Sequence, residues 1–301
     1  MHRFIWVAII LTGVAHADPY YVGPKACTEC HKAEGAVWEA TKHATSFKDV
    51  HKNEKAKAIL AAAGGDANMR KNATCTQCHF TMEQADASAA PLAKSSVSCE
   101  KCHGPGSDFI KIHNDFGGPD VKREAEAPAH KTKRLADARA AGMFLPDSLY
   151  DIAANCMACH GLAKPGLDTG ILAKMLEAGH PFDPDYELVR YSQGTVRHRF
   201  YPPDTDKNKE QTPAELSRMF VIGQAAKLVS AAGAKSDNAA YSAAQAKRVA
   251  DATAALKNVP DAAALIAAPT ADNARKLAAA IAGKDLTKEV GSLLPAKDSY
   301  K

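Results

Sequence analysis

The sequence predicts a mostly α-helical protein. Its last third is rich in alanine, the strongest helix former, and Thr212-Pro213-Ala214-Glu215 has the pattern of a capping box with proline at the first helical position. Near the other end, the stretch from Lys32 to Phe47 favours a helix despite Gly35. Segments typical of β-strands are hard to find anywhere in the chain.

The C-terminal part is expected to form a helical subdomain. The proline-rich stretch from Pro202 to Asp206 marks a break, so we predict one domain over 18–204 and an Ala-rich subdomain over 205–301. Because no cysteine or histidine follows His198, this subdomain is expected to pack or dock rather than carry chemistry. Caps, glycine and proline positions predict its helices at 213–232, 238–257, 261–268 and 271–283.

The first residues read as a signal peptide over 1–17. Arg3 provides a short basic start, Phe4 to Val14 is an unbroken apolar run, and Ala15-His16-Ala17 fits a signal-peptidase site. The run is too short to span a bilayer permanently. The alternative, a retained N-terminal anchor, is less favoured because the cleavage triplet directly follows the apolar run. We therefore expect a periplasmic or otherwise secreted protein without direct membrane insertion.

The cysteines carry the clearest chemical signal. All eight fall into pairs with a two-residue gap, and a histidine follows each pair at once. Zinc sites do not need a histidine at the same place four times, iron–sulfur sites use other spacings, and so small a ring is a poor disulfide staple. Cys-x-x-Cys-His is the haem c attachment motif, which predicts four covalently attached haems c. The residues are Cys27, Cys30 and His31; Cys75, Cys78 and His79; Cys99, Cys102 and His103; and Cys156, Cys159 and His160.

Haem attachment also changes the meaning of charge and composition. The formal net charge is +4, but each haem adds two propionates, which brings the oxidised holoprotein close to neutrality. The basic pI is therefore no evidence for nucleic acid as a partner. Aromatic residues make up only 6% of the chain, so we expect the haems to supply apolar bulk.

Each iron has a second face, and the chain holds spare histidines to fill it. Bis-histidine ligation favours low-potential electron transfer and leaves no position for a small molecule. If Lys32 to Phe47 is one helix, His31 and His43 lie about 18 Å apart, so His43 should serve a neighbouring haem. The same reasoning applies to His113, while Trp38 is expected to pack on a porphyrin. His180 and His198 are further candidates, whereas His51 and His130 lie in lysine-rich, polar stretches typical of a surface.

A little under half of the chain resembles the tetrahaem cytochrome c-554 family. The resemblance is carried by CTECHKAEGAVWEATKHA from Cys27 to Ala44 and by SVSCEKCHGPGSDFIKIH from Ser96 to His113. It implies a multihaem cytochrome c fold, mostly helical and wrapped around four closely packed haems.

The same resemblance implies distal ligands. His43 would serve the third haem, His113 the first, and His180 the fourth. The second haem, attached beside His79, is five-coordinate in the family's best-known member, and a spare histidine, especially His198, would close it here.

Three function classes follow. The leading one is an electron carrier between redox partner proteins. The second is an enzyme that reacts with nitric oxide, hydroxylamine or a similar molecule at an open haem beside His79. The third is a subunit of a haem filament or membrane-associated complex, in which His51 or His130 ligates a neighbouring subunit's haem and the protein is oligomeric.

Overall fold

The computed structural model describes residues 18–202 and 204–301; the expected signal peptide lies outside them. The described chain is mostly helical, as predicted, with one small hairpin. Its α-helices are α1 Pro24–Thr28, α2 Lys32–Glu39, α3 Lys42–Asp49, α4 Ala56–Ala63, α5 Ala73–His79, α6 Glu100–His103, α7 Ile110–His113, α8 Pro128–Ala140, α9 Leu149–His160, α10 Thr169–Glu177, α11 Leu188–Ser192, α12 Pro213–Gly233, α13 Ala239–Leu256, α14 Ala263–Ala267, α15 Ala271–Ala280 and α16 Thr287–Val290. Short 3-10 turns occupy Val50–Lys52, Arg123–Ala125, Pro260–Ala262, Gly291–Leu293 and Lys297–Ser299.

The hairpin pairs β1 (Thr81–Glu83) with β2 (Leu92–Ser95) in antiparallel register. It follows the second motif and precedes the third. Thr81 anchors its base, because the buried hydroxyl of this residue donates to the carbonyl oxygen of Ser96 at 2.8 Å. This contact fixes the chain that connects the two motifs.

The prediction of one helix from Lys32 to Phe47 is wrong, because Thr41 interrupts it. Thr41 adopts an extended backbone and caps α3, with its hydroxyl accepting from the Ala44 amide at 3.3 Å. The same hydroxyl donates to the carbonyl oxygen of Trp38 at the end of α2. The distance along a straight helix therefore does not describe how His31 and His43 lie.

The C-terminal helices match the sequence prediction closely. The capping box of Thr212 and Glu215 is present at the start of α12, and the Asn238 side chain caps α13. Both signals are local, which explains why they could be read from the sequence. The sequence did not predict α16.

The main apolar core joins these helices to the fourth motif. Phe220, Ile222 and Leu256 of α12 and α13 pack in one cluster with Tyr150 and Met157 of α9. The core thus spans both sides of the boundary predicted at 204/205, and the division into two domains stays a prediction. Within the described residues, no helix combines the length and apolar content needed to cross a bilayer.

A second, smaller core lies between α4 and α10. Ile59 and Ala63 of α4 pack with Leu172 and Met175 of α10, and the buried Tyr241 of α13 closes the cluster. Because α4 leads into the second motif, this contact brings the end of α10 close to that motif.

Candidate functional site

Each motif histidine faces one histidine from outside the motifs. With metal–nitrogen bonds of about 2 Å on both sides, the centres of two opposed imidazoles lie about 6 Å apart. All four pairs have this spacing. The distances between ring centres are 6.3 Å for His31 and His113, 5.9 Å for His79 and His180, 6.2 Å for His103 and His198, and 6.0 Å for His160 and His43.

The pairing differs from the one that the resemblance implied, except for His113 with His31. His43 faces His160 of the fourth motif, not the third motif, so that assignment is corrected. His180 faces His79 of the second motif, not the fourth.

His198 also has another partner than expected. It lies opposite His103 of the third motif, so it is not the residue that closes the second site. The second site nevertheless has two opposed histidines, because His180 faces His79.

Tertiary packing explains these differences. The break at Thr41 starts a new helix, which carries His43 away from the axis of α2. His180 follows α10, where Gly179 turns the chain with φ 93°, and α10 packs on α4 just before the second motif. Neither feature can be predicted from the spacing of the histidines along the chain.

Backbone carbonyls orient several of the facing rings. A carbonyl oxygen can only accept, so an imidazole that bonds one through Nδ1 carries its proton there and leaves the Nε2 lone pair free for a metal. The Nδ1 contacts are His103 with Phe144 O at 2.8 Å, His180 with Pro181 O at 2.9 Å, His198 with Val196 O at 2.6 Å and His113 with Phe109 O at 3.3 Å.

Burial favours the neutral form of six facing imidazoles, which is the form that binds metals. It lowers the pKa of His79 and of His160 to about 4 each, with a smaller contribution from the facing histidine. Burial also lowers the pKa of His43, His103, His113 and His180. These rings therefore offer an unprotonated nitrogen at neutral pH.

No disulfide joins the eight cysteines, and contacts between their sulfur atoms show which motifs are neighbours. The Cys27 thiol hydrogen-bonds to Cys99, which raises the pKa of Cys27. The Cys78 thiol likewise bonds Cys159 and, as the largest cause, lowers the pKa of Cys159 to about 7. The first motif thus adjoins the third, and the second adjoins the fourth.

The third and fourth motifs also meet. The Asn155 side chain of α9 donates to the carbonyl oxygen of Cys102 at 3.3 Å. The third motif also contacts the second, because the Lys101 side chain donates to the carbonyl oxygen of Gln77 at 3.1 Å. The second, third and fourth motifs therefore meet, and the first adjoins them through the third.

Comparison with known proteins finds similarity over the part of the chain that carries the motifs. Residues 26–104 match the family described as cytochrome c554 and c-prime. This segment belongs to the cytochrome c-554 family. The match contains the first three motifs and ends before the fourth.

A relative extends the similarity. The chain is 30% identical over 154 residues to cytochrome c-554 of Nitrosomonas europaea, which covers 48% of this chain and 59% of that protein. The chain thus spans less than two thirds of this relative's length. No solved structure matches the chain at a significant level.

The residues present fit the haems c that the cytochrome c-554 family implies. Within the described chain, no three His, Cys, Asp or Glu side chains gather as a metal held by side chains alone requires; the imidazoles meet in twos. Arg197 and Arg199, which flank His198, each have a buried Nε without a hydrogen-bond partner among the described residues. Propionates are anions that would satisfy such groups.

His51 and His130 face none of the motif histidines. His51 is exposed in the turn Val50–Lys52, and Nδ1 of His130 contacts a carboxylate oxygen of Glu126 at 2.8 Å. Trp38 is half-buried, and its indole N–H donates to Val97 O beside the third motif; its packing on a porphyrin stays a prediction.

No sequence pattern predicted the aromatic stack beside the fourth motif. The ring of Tyr186 lies parallel to that of His160 at 4.3 Å between centres, and Tyr191 stacks on Tyr186 at 4.4 Å. These tyrosines are far from the motif in sequence and fit no spacing rule. Arg134 was also missed: it donates to the carbonyl oxygen of His113 and so holds that ring's backbone.

Proposed function

We propose that the chain is a tetrahaem c-type cytochrome that passes electrons between redox partner proteins in the periplasm or another exported compartment. The observation that carries this proposal is the set of four imidazole pairs with ring centres 5.9–6.3 Å apart. Similarity to the cytochrome c-554 family supports it.

The residues have separate tasks in this proposal. The two thiols of each motif would hold one haem through thioether links. The two imidazoles of a pair would bind its iron. The chemistry that a bound haem would supply is one-electron oxidation and reduction.

The contacts between motifs indicate which haem sites lie close enough to exchange electrons directly. The first motif touches the third through Cys27 and Cys99, and the second touches the fourth through Cys78 and Cys159. The third and fourth are joined at Cys102 and Asn155. The second motif also touches the third through Gln77 and Lys101. The first motif, which these contacts link to the third, is where we expect a redox partner to dock.

The second motif argues for a carrier rather than an enzyme. His180 faces His79 at 5.9 Å, so the arrangement offers no open face for nitric oxide or hydroxylamine. Burial lowers the pKa of His79 to about 4, so at neutral pH its imidazole carries an unprotonated nitrogen that can bind a metal.

The test combines a redox titration with spectroscopy of the holoprotein. We expect four haems per chain, reversible couples, only low-spin ferric signals in electron paramagnetic resonance, and no spectral change of the reduced protein with carbon monoxide. The His180→Ala variant should gain one high-spin haem that binds carbon monoxide, whereas His51→Ala should match the wild type. A wild-type protein that binds carbon monoxide would favour the enzyme, and a chain without reversible couples would sink the proposal. Histidine-dependent oligomers in size-exclusion chromatography would instead point to a filament subunit.

A further inference from the structure

A buried guanidinium lies against the fourth motif. Arg248 of α13 is only 1% exposed, and the groups that it contacts are neutral. Its Nη1 donates to Gln245 Oε1 at 2.6 Å and to Gly161 O at 3.3 Å, and its Nη2 lies 3.4 Å from Ser230 Oγ. Burying a charge without a counter-ion is energetically costly, so a buried arginine of this kind suggests a specific role.

The contacts of Arg248 are with the motif itself. Gly161 directly follows His160, and Met157, whose sulfur lies 3.8 Å from Nη2, stands inside the motif between Cys156 and Cys159. A Cβ added at Gly161 would collide with the guanidinium, so the glycine permits direct contact with the backbone. The charge therefore sits at the carboxyl end of α9, where the helix dipole favours a cation.

The neighbouring third motif holds a buried charge of the opposite sign. Glu100 stands between Cys99 and Cys102 and is 2% exposed. Its carboxylate accepts three backbone N–H groups, from Val22 at 2.9 Å, Gly23 at 2.8 Å and Gly106 at 2.7 Å. Burial is the largest cause and raises the pKa of Glu100, whereas the three backbone donors favour the anion and counteract it.

We propose that Glu100 and Arg248 set the third and fourth haems at different reduction potentials, so that an electron passes from the third to the fourth. A nearby anion stabilises the oxidised iron and lowers the potential, and a nearby cation raises it, most strongly where the surroundings are apolar. In this transfer the third haem site, at His103, would lose one electron, and the fourth haem site, at His160, would gain it. No proton or other atom moves in this step. This inference rests on the proposed electron-carrier function.

The experiment is a potentiometric titration of the holoprotein and of charge-removing variants. Arg248→Gln should shift one couple to lower potential, and Glu100→Gln should shift a different couple to higher potential. Arg248→Lys keeps the charge and should restore most of the shift. The control is Arg275→Gln, which removes an exposed arginine of α15 that is bound to Asp151 of α9. This variant should leave all couples at their wild-type potentials.

Paramagnetic NMR assigns the couples. Contacts of haem methyl groups with Tyr186 identify the fourth haem, and contacts with Phe144, whose carbonyl bonds His103, identify the third. Unchanged couples in a folded Arg248→Gln variant, or shifts of both variants in the same couple, would overturn the inference while leaving the carrier function intact. If Arg248→Gln does not fold, Glu100→Gln decides: an unmoved third couple refutes the inference. Loss of all reversible couples in the wild type would instead refute the function.

Discussion

The two halves of the molecule hold their shape by different means. Of the buried apolar side chains described, eight lie in residues 18–148, and thirty lie in residues 149–301. The first half holds three of the four motifs in short helices joined by loops, whereas the second half is built on long α12 and α13. We therefore expect the first half to depend on covalently attached haems for its apolar interior, while the second half has a core of its own.

The largest expected effect comes from removing the haems. In a variant with alanine at all eight cysteines, we expect amides of residues 18–148 to lose protection from hydrogen exchange, because their apolar filling is gone. Amides of α12 and α13 should stay protected. Hydrogen exchange with mass spectrometry, compared with the holoprotein, measures this. Equal loss of protection in both halves would contradict the contrast.

Opening one site tests the corrected pairing. His43→Ala should produce one high-spin haem, and its methyl groups should show NMR contacts with Tyr186, which stacks on His160. The exposed His51 provides the control variant, His51→Ala, which should stay low-spin. Contacts of the high-spin haem with Phe144 would return His43 to the third motif, as the family resemblance implied.

Truncation in the C-terminal core should cost stability without touching a haem. Leu256 is fully buried, so Leu256→Ala should lower the free energy of unfolding by about 2–5 kcal/mol. Denaturant unfolding followed by far-ultraviolet circular dichroism measures the loss. Leu92, which is 54% exposed on the hairpin, gives the matched control, since Leu92→Ala should change the free energy of unfolding by only about 0.5 kcal/mol or less. Similar losses in the two variants would argue against a separate core.

Acidic pH should destabilise the first half by protonating Glu126. Hydrogen bonds from Arg134, and a further one with His130, lower the pKa of Glu126 to about 2. The unfolded chain has a pKa of about 4.3 there, so this stabilisation is complete above that pH and is lost as the pH falls towards 2. Urea unfolding of the wild type should therefore show a steeper loss of stability over this range than Glu126→Gln. Glu29→Gln, at an exposed position, should follow the wild-type curve. Parallel curves for wild type and Glu126→Gln would show that the Arg134 contact adds no stability.

What could be read from the sequence is what depends on near neighbours in the chain. Cys-x-x-Cys-His is fixed by the chemistry of one haem, and Thr212 and Asn238 cap helices through bonds to the next few residues. The distal pairing depends on the break at Thr41 and on the packing of α10 against α4, which are tertiary features. Arg248 lies far along the chain from the motif that it touches, and its surroundings carried no sequence signal.

The partner of the fourth motif has a consequence for how the protein is assembled. For three motifs, the facing histidine comes later in the chain, at His113, His180 and His198, whereas His43 precedes its partner His160. If the chain is exported from its amino end, His43 crosses the membrane before its partner His160 and before the second and third motifs. The third site is completed last, because its distal histidine is His198. With this direction of export, we expect haem ligation at the first three motifs to begin with one histidine per iron and folding to supply the second, whereas the fourth motif emerges when His43 is already present.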